Sequence, residues 1–330
     1  MKRSVPQLIS LAAVLVGLVL FVITMLGLDR AETMIQARSL GAALPIVLLP
    51  GLAWHILRAA GWYLCFPREG RPGYWRIFRV RLAADGVGYF TIRGVASEPL
   101  RVVMLMGHVS PVISAAATVL ERTAMGIMSV LGVGVFAAFA VSSNMLPPAW
   151  QSVFRGIAVT SGIVLVITAI FLTRRGRYFG PAVERIHART GWRWAGGRTV
   201  RGITAVEDLF LKLARTDSRR IQSLVVLSVA CYALMALEVF LVFWAIGQPI
   251  SMWVGTIVET FTRSASVAAG AIPGNLGALE ASNVAVVKAL GLAGGGSLAL
   301  FRRFRSLLFA AMGLALYPRD ASARAEVPPS

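Results

Sequence analysis

Glu98, Arg101, Glu121, Arg122, Glu280, Arg302 and Arg305 are ionisable side chains standing among apolar neighbours, and that placement gives them chemical interest. A charge at the centre of a membrane helix costs roughly 2.5–3.5 kcal/mol on insertion scales, so each needs a partner or a wet cavity. Arginines in such a place suit a phosphate, and carboxylates suit a cationic or hydroxyl-bearing group. Arg302 and Arg305, spaced i and i+3, share a helix face and could hold a lipid phosphate between them. The apolar run after Arg305 has only 12 residues, about 18 Å of helix, too short to span alone. If the helix crosses, its arginines enter the apolar depth. The alternative is a half-span from Ser297 to Tyr317 whose arginines snorkel to the interface.

The stretch GAIPGNLGALEASN, beginning at Gly270, breaks an apolar segment with Pro273, Gly274 and Gly277 and then supplies Glu280. A break frees backbone groups that lipid cannot bond, so it survives where protein or a water-filled cavity covers it. A helix starting after Gly274, capped by Asn275, would offer free N–H groups and positive dipole to an anion, with Glu280 and Asn283 on one face. Glu280 is otherwise a carboxylate that caps the same helix. An earlier stretch, GYFTIRGVASEPLRVV, carries Arg93, Gly94, Glu98, Pro99 and Arg101, which form either a loop-stabilising ion cluster or a head-group site. Glu121 and Arg122 admit two readings as well, because Thr123 to Val141 is long enough to span without them and the pair could flank the membrane. Arg58 could snorkel along its helix, His55 reads as a lone, satisfied polar residue, Glu238, Glu259 and Arg263 read as unpaired, and Lys288 complements a helix C-terminus before Gly291.

The elements that must position these residues follow from composition. Of 330 residues 57% are hydrophobic and 15% charged, which excludes a single soluble core and predicts an all-α polytopic integral membrane protein. The expected architecture is about six spanning helices plus two re-entrant helical hairpins. The spans begin with Leu8 to Leu28, an uncleaved anchor behind Lys2 and Arg3, and continue with 39–66. Further spans start at Pro111 behind an N-cap Ser110, and run over 156–173, 221–247 and 297–317. The hairpins fall at about 82–108 and 254–291. Ser142 to Phe154 reads as an external loop. Residues 174–220 hold twelve Lys or Arg against four Asp or Glu and read as a basic cytoplasmic loop, with ITAVEDLFLKLAR as a surface helix. The net charge of +18 is explained by topology and anionic lipid rather than nucleic acid. Multi-pass residence in a bacterial-type cytoplasmic (inner) membrane is expected, with a polar tail at 318–330.

The chemistry expected is not enzymatic. No HExxH, paired Cys–His or acid dyad occurs, and Cys65 and Cys231 lie apart in apolar segments. Neither a metal nor a cofactor is expected. A near-constant offset relates the halves: Gly94 and Gly274 lie 180 apart, Glu98 and Glu280 182, Arg122 and Arg303 181. That spacing suggests an inverted repeat of about 39–173 and 221–317, the arrangement common in alternating-access transporters.

PGNLGALEAS resembles the PGGLG…E signature of the lysylphosphatidylglycerol synthase transmembrane region, also called the flippase-like domain family. LPGLAWHILRAAGWYL, GVASEPLRVVML and VLERTAMGIM resemble that family's other recurring elements. The chain departs from the pattern with Asn275 where the family usually has glycine, and with Ser97 and Pro99 around the first glutamate. The resemblance implies a single membrane domain over 1–317 that moves lipid between leaflets without the family's soluble aminoacyltransferase domain. It also implies a head group held by Glu98, Arg101, Glu121, Arg122, Gly274, Asn275, Glu280, Arg302 and Arg305. The partners implied are membrane lipids, phospholipid or hopanoid-like. The alternatives are a membrane-embedded lipid-modifying enzyme or an accessory protein of a lipid pathway such as hopanoid synthesis.

Overall fold

The computed structural model describes residues 18–27, 30–91, 97–143, 145–173, 179–190, 197–216 and 218–316. Most of the first anchor, Arg93, Gly94, Arg174 and the 318–330 tail lie outside the described residues. The described chain is helical without strands, an all-α polytopic membrane protein. A short helix at 18–26 (α1) precedes α2 (Arg30–Cys65), α3 (Tyr74–Tyr89), α4 (Ser97–Met104), α5 (Pro111–Ser142) and α6 (Pro148–Thr173). Then come α7 (Phe179–Thr190), α8 (Gly197–Thr216), α9 (Ser218–Ala245), α10 (Met252–Ala268), α11 (Ala278–Ala289) and α12 (Gly295–Ala315).

Four described helices are long and apolar enough to cross a membrane: Met34–Cys65, Pro111–Ser142, Pro148–Phe171 and Ser218–Ala245. Length comes from apolar continuity, since lipid makes the intrahelical hydrogen bond the best available partner for the backbone. α2 runs on through Pro45 and Pro50. α5 starts where expected, with Ser110 as N-cap and Pro111 in the first turn, although the serine hydroxyl makes no capping bond. The expected external loop is shorter than Ser142 to Phe154, because α6 already begins at Pro148, a residue suited to a helix start. α6 turns Val159, Ile163, Val166 and Ile170 outward, an apolar face for lipid. The segment ITAVEDLFLKLAR lies within α8, which packs on α5 and sets Leu209 and Phe210 against the core.

Neither interrupted region contains a long span. α3 and α4 pack on each other around their break, and α10 and α11 around theirs. The second break turns on positive-φ backbone, with Gly274 at φ 59°, Asn275 at 50° and, after an extended Leu276, Gly277 at 76°, positions that β-branched or bulky residues do not tolerate. Its backbone groups find protein partners, with Ile272 N–H on Ala269 at 2.9 Å and Asn275 N–H on Ile272 at 2.9 Å.

Three apolar cores result among the described residues. One joins α2, α3, α4, α5 and α9 through Trp62, Phe66, Ile77, Leu105, Leu120 and Leu224; the second joins α2, α9, α10, α11 and α12 through Val47, Phe243, Val258, Val286, Leu298 and Phe301; a smaller third joins α5, α6 and α10 through Ala137, Phe154 and Ile257. Between the cores, α2 packs along α9, α3 along α12, and α5 along α10. The α3–α12 contact is a backbone approach: a Cβ on Gly86 would lie 2.7 Å from the Ala310 carbonyl oxygen, and one on Gly313 would strike the Leu82 backbone.

Candidate functional site

The first cluster is built around Glu121, fully buried on α5. Arg58 from α2 reaches it at 3.0 Å, Arg81 from α3 at 3.3 Å, and Arg101 from α4 at 3.8 Å. Asp85, one turn beyond Arg81, pairs with Arg101 and lies 3.6 Å from Arg81. Arg101 also faces the buried Trp62 ring at 5.5 Å, and the Trp62 indole N–H donates to Thr118 at 3.1 Å. Three arginines against two carboxylates leave this cluster one positive charge in excess. Beside it, Arg122 turns away from Glu121 and pairs with Glu98 in the first turn of α4 at 2.9 Å.

The second cluster is built around Arg302, buried on α12. It donates to Glu259 of α10 at 2.6 Å and to Asn283 of α11 at 3.0 Å, and lies 3.4 Å from Glu238 of α9. Arg305 also pairs with Glu238, and Arg263, one turn beyond Glu259, pairs with that carboxylate at 2.8 Å. Arg263 lies 4.6 Å from the Tyr232 ring and donates to Ser129 at 3.2 Å. Here too three arginines meet two carboxylates. Beside this cluster, Arg303 pairs with the fully buried Glu280 at 2.5 Å, donates to the Gly274 carbonyl at 3.1 Å and bonds the Tyr89 hydroxyl. The other Glu280 oxygen accepts the Gly277 N–H at 2.8 Å. Glu280 is therefore both helix cap and ion-pair partner.

Buried ions lose several kcal/mol of solvation each, which attraction offsets only where geometry is good and few donors are left over. Both clusters draw ion-pair partners from several helices, yet leave buried atoms without a hydrogen bond, among them Arg101 Nη1 and Glu121 Oε2 in the first and Arg302 Nε and Glu238 Oε1 in the second. They fix α2, α3, α4 and α5 to one another, and α9, α10, α11 and α12 likewise.

The lysylphosphatidylglycerol synthase TM region family matches residues 7–314, nearly the whole chain. The chain belongs to that family. No curated protein and no solved structure matches it. The family is a membrane-embedded one associated with lipid handling.

Within this family member, each residue expected at the site is placed among charged or polar partners. Glu121 and Arg101 share the first cluster, Arg302 and Arg305 the second. Glu98 meets Arg122 rather than Arg101, and Arg93 lies outside the described residues. Arg302 and Arg305 do share a face, and carboxylates already engage both. Gly274 and Asn275 form the tip of the second break. Asn275 does not cap α11: the cap position is Gly277, and the Asn275 amide donates to Ser266 at 2.5 Å. The left-handed φ of Asn275 turns the chain before the helix begins, so its side chain points back toward α10. Arg58, Glu238, Glu259 and Arg263 look unpaired in sequence, and all are ion-pair members. Arg81 and Asp85, not singled out by sequence, complete the first cluster. The signal that finds them is spacing: Arg81–Asp85 and Glu259–Arg263 are opposite charges at i and i+4 on one helix.

Proposed function

We infer that this protein moves lipid between the leaflets of a bacterial-type inner membrane, with α3–α4 and α10–α11 acting as re-entrant hairpins that bring charge to the head group. The observation that carries the reading is the pair of buried clusters, each with one excess positive charge, placed beside broken helices. A structural ion network has no need of surplus charge in an apolar setting, whereas an anionic head-group atom entering the cluster would neutralise it. Phosphate-bearing lipids suit this balance. Hopanoid-like lipids bring hydroxyls in place of an anion, and Glu280 and Asn283 could accept from them.

The test uses purified protein in liposomes, scored for leaflet exchange of fluorescent or native lipid. Glu280→Gln keeps the side-chain shape and an oxygen for the Gly277 N–H, and removes the charge that Arg303 requires. Exchange is expected to fall at least tenfold at matched abundance. Equal exchange by wild type and variant returns Glu280 to a capping role and removes it from the lipid path.

A further inference from the structure

The two clusters share one construction in which four positions reverse their charge, while Arg101 answers to the neutral Asn283 and Arg305 has only Ala124 opposite it, so both keep one excess positive charge. Arg58 of α2 stands where Glu238 stands in α9, 180 residues on; Arg81 and Asp85 of α3 answer to Glu259 and Arg263 of α10, each 178 on. Arg101 of α4 answers to Asn283 of α11, 182 on, and Glu121 of α5 to Arg302 of α12, 181 on. The contacts repeat with the positions. Arg58–Glu121 at 3.0 Å matches Glu238–Arg302 at 3.4 Å, and Arg81–Glu121 at 3.3 Å matches Glu259–Arg302 at 2.6 Å. The i,i+4 pair Arg81–Asp85 at 3.6 Å matches Glu259–Arg263 at 2.8 Å, and Arg101–Glu121 at 3.8 Å matches Asn283–Arg302 at 3.0 Å. Helix packing obeys the same exchange, since α3 on α12 is the counterpart of α10 on α5, and α2 lies on its own counterpart α9.

These ion pairs close within their own half. Across the halves, among the described residues, run neutral or singly charged hydrogen bonds: Ser297 to Gln36 at 2.6 Å, Ser228 to the Met125 sulfur at 2.8 Å, Arg263 to Ser129 at 3.2 Å, and Arg303 to the Tyr89 hydroxyl. Each half is thus braced internally by charge and held to the other by apolar packing and a few such bonds. Relative motion of the halves would break none of these ion pairs among the described residues.

One pair of counterparts is not equivalent. Glu98–Arg122 and Glu280–Arg303 keep the same signs, yet the first pair is 27% and 43% exposed and the second 0% and 13%. The second is covered by Tyr89, at the end of α3, whose hydroxyl bonds Arg303 and whose ring lies 5.8 Å from the guanidinium. The position answering to Tyr89, 178 residues on, is Val267 at the end of α10, which is 67% exposed and covers nothing comparable.

We propose that the halves are two ionically braced bodies related by a charge-reversing pseudo-twofold, and that this structure is one of two alternate states. In it the Glu98–Arg122 station is open and the Glu280–Arg303 station is shut by Tyr89. The other state exchanges open for shut, which lets a polar head group meet an equivalent Glu–Arg pair from each side. This rests on the lipid-moving reading for its purpose, though not for its geometry.

Carboxyl footprinting of the full chain in phospholipid nanodiscs tests it, with a water-soluble carbodiimide, a neutral amine and peptide mass spectrometry. In the wild type Glu98 should label and Glu280 should not. Tyr89→Phe keeps the ring and deletes the hydroxyl bond to a charged donor, so Glu280 labelling should rise about tenfold while Glu98 labelling falls. Val267→Tyr, at an exposed position that tolerates the change, supplies the missing seal and should move both carboxylates the same way. Glu121, buried in both states, should stay unlabelled throughout. Equal labelling of Glu98 and Glu280 in the wild type overturns the proposal. So does a rise at Glu280 without a fall at Glu98 in both variants, which is local loosening. Leaflet exchange on the same samples separates the two ideas: reciprocal labelling without lipid movement retires the lipid reading alone, and lipid movement without reciprocity retires the alternation alone.

Discussion

Glu121→Gln and Arg302→Gln remove the hubs of the two clusters, and charge balance predicts very different outcomes. Without Glu121, Arg58, Arg81 and Arg101 face Asp85 alone, so three buried guanidiniums share one carboxylate. Breaking a buried pair by deleting one partner costs about 3–5 kcal/mol, because the charge left behind has no solvent to replace it. Without Arg302, Glu238 keeps Arg305 and Glu259 keeps Arg263, so no carboxylate is stranded. The loss there is hydrogen bonding to Glu259 and Asn283, on the order of 1–2 kcal/mol net. The variants should therefore differ by about 1–4 kcal/mol, with Glu121→Gln the less stable. Thermal unfolding in detergent, followed by tryptophan fluorescence and by the monodisperse fraction on size exclusion, reads the difference. A second substitution, Arg58→Met in the Glu121→Gln background, should recover part of the loss by removing one stranded cation. If Arg302→Gln costs as much as Glu121→Gln, or the double variant is no better than the single, pairwise accounting of these clusters is wrong.

Three further outcomes are expected. Arg305→Met removes the excess positive charge of the second cluster and leaves Glu238 with Arg302, so the protein should fold normally and exchange phosphate-bearing lipids several-fold more slowly; unchanged exchange excludes phosphate recognition there. Gly313→Leu should cost more than about 3 kcal/mol, seen as loss of folded protein, since the α3–α12 approach leaves its side chain no space and the Leu82 backbone cannot yield. Single cysteines at Arg185 and Met145 should react with a membrane-impermeant maleimide only in inverted vesicles and only in intact cells, respectively, placing 174–220 inside and 142–154 outside; the opposite pattern reverses the topology.

Most of the helix layout was legible because lipid makes length and apolar continuity nearly sufficient. Leu-, Val- and Ala-rich runs ended by Pro, Gly or Arg predict 39–66, 156–173 and 221–247, against observed helices Arg30–Cys65, Pro148–Thr173 and Ser218–Ala245. The two interruptions were legible for the complementary reason, since Gly274, Gly277 and Pro273 have no place inside a span. Helix ends were less so: Pro148 starts α6 inside a stretch that polar residues mark as loop, and Gly277 takes the cap position through the Glu280 carboxylate, where Asn275 is the better capping residue by type. Propensity ranks the cap residues, and the left-handed turn overrules the ranking.

Partnerships were the part that sequence spacing concealed. Arg58, Glu238 and Glu259 are each separated by dozens of residues from the charge they meet, except where a partner lies one helical turn away. The correspondence between halves was concealed for a deeper reason. A position-by-position comparison that scores arginine against glutamate as a mismatch rejects the match at Arg58 and Glu238, and again at Glu121 and Arg302. Coulomb energy depends on the product of two charges, so reversing both members of a pair, as at Arg58–Glu121 and Glu238–Arg302, leaves its attraction intact. A self-contained cluster has no external reference for sign and can be built either way. Glu98 and Glu280 do have one, since each lies in the first turn of a helix, where the positive end of the dipole favours a carboxylate. That reference fixes the sign of Arg122 and Arg303 in turn. The pairs with an external reference are the ones unchanged between the halves, and they are the ones whose exposure differs.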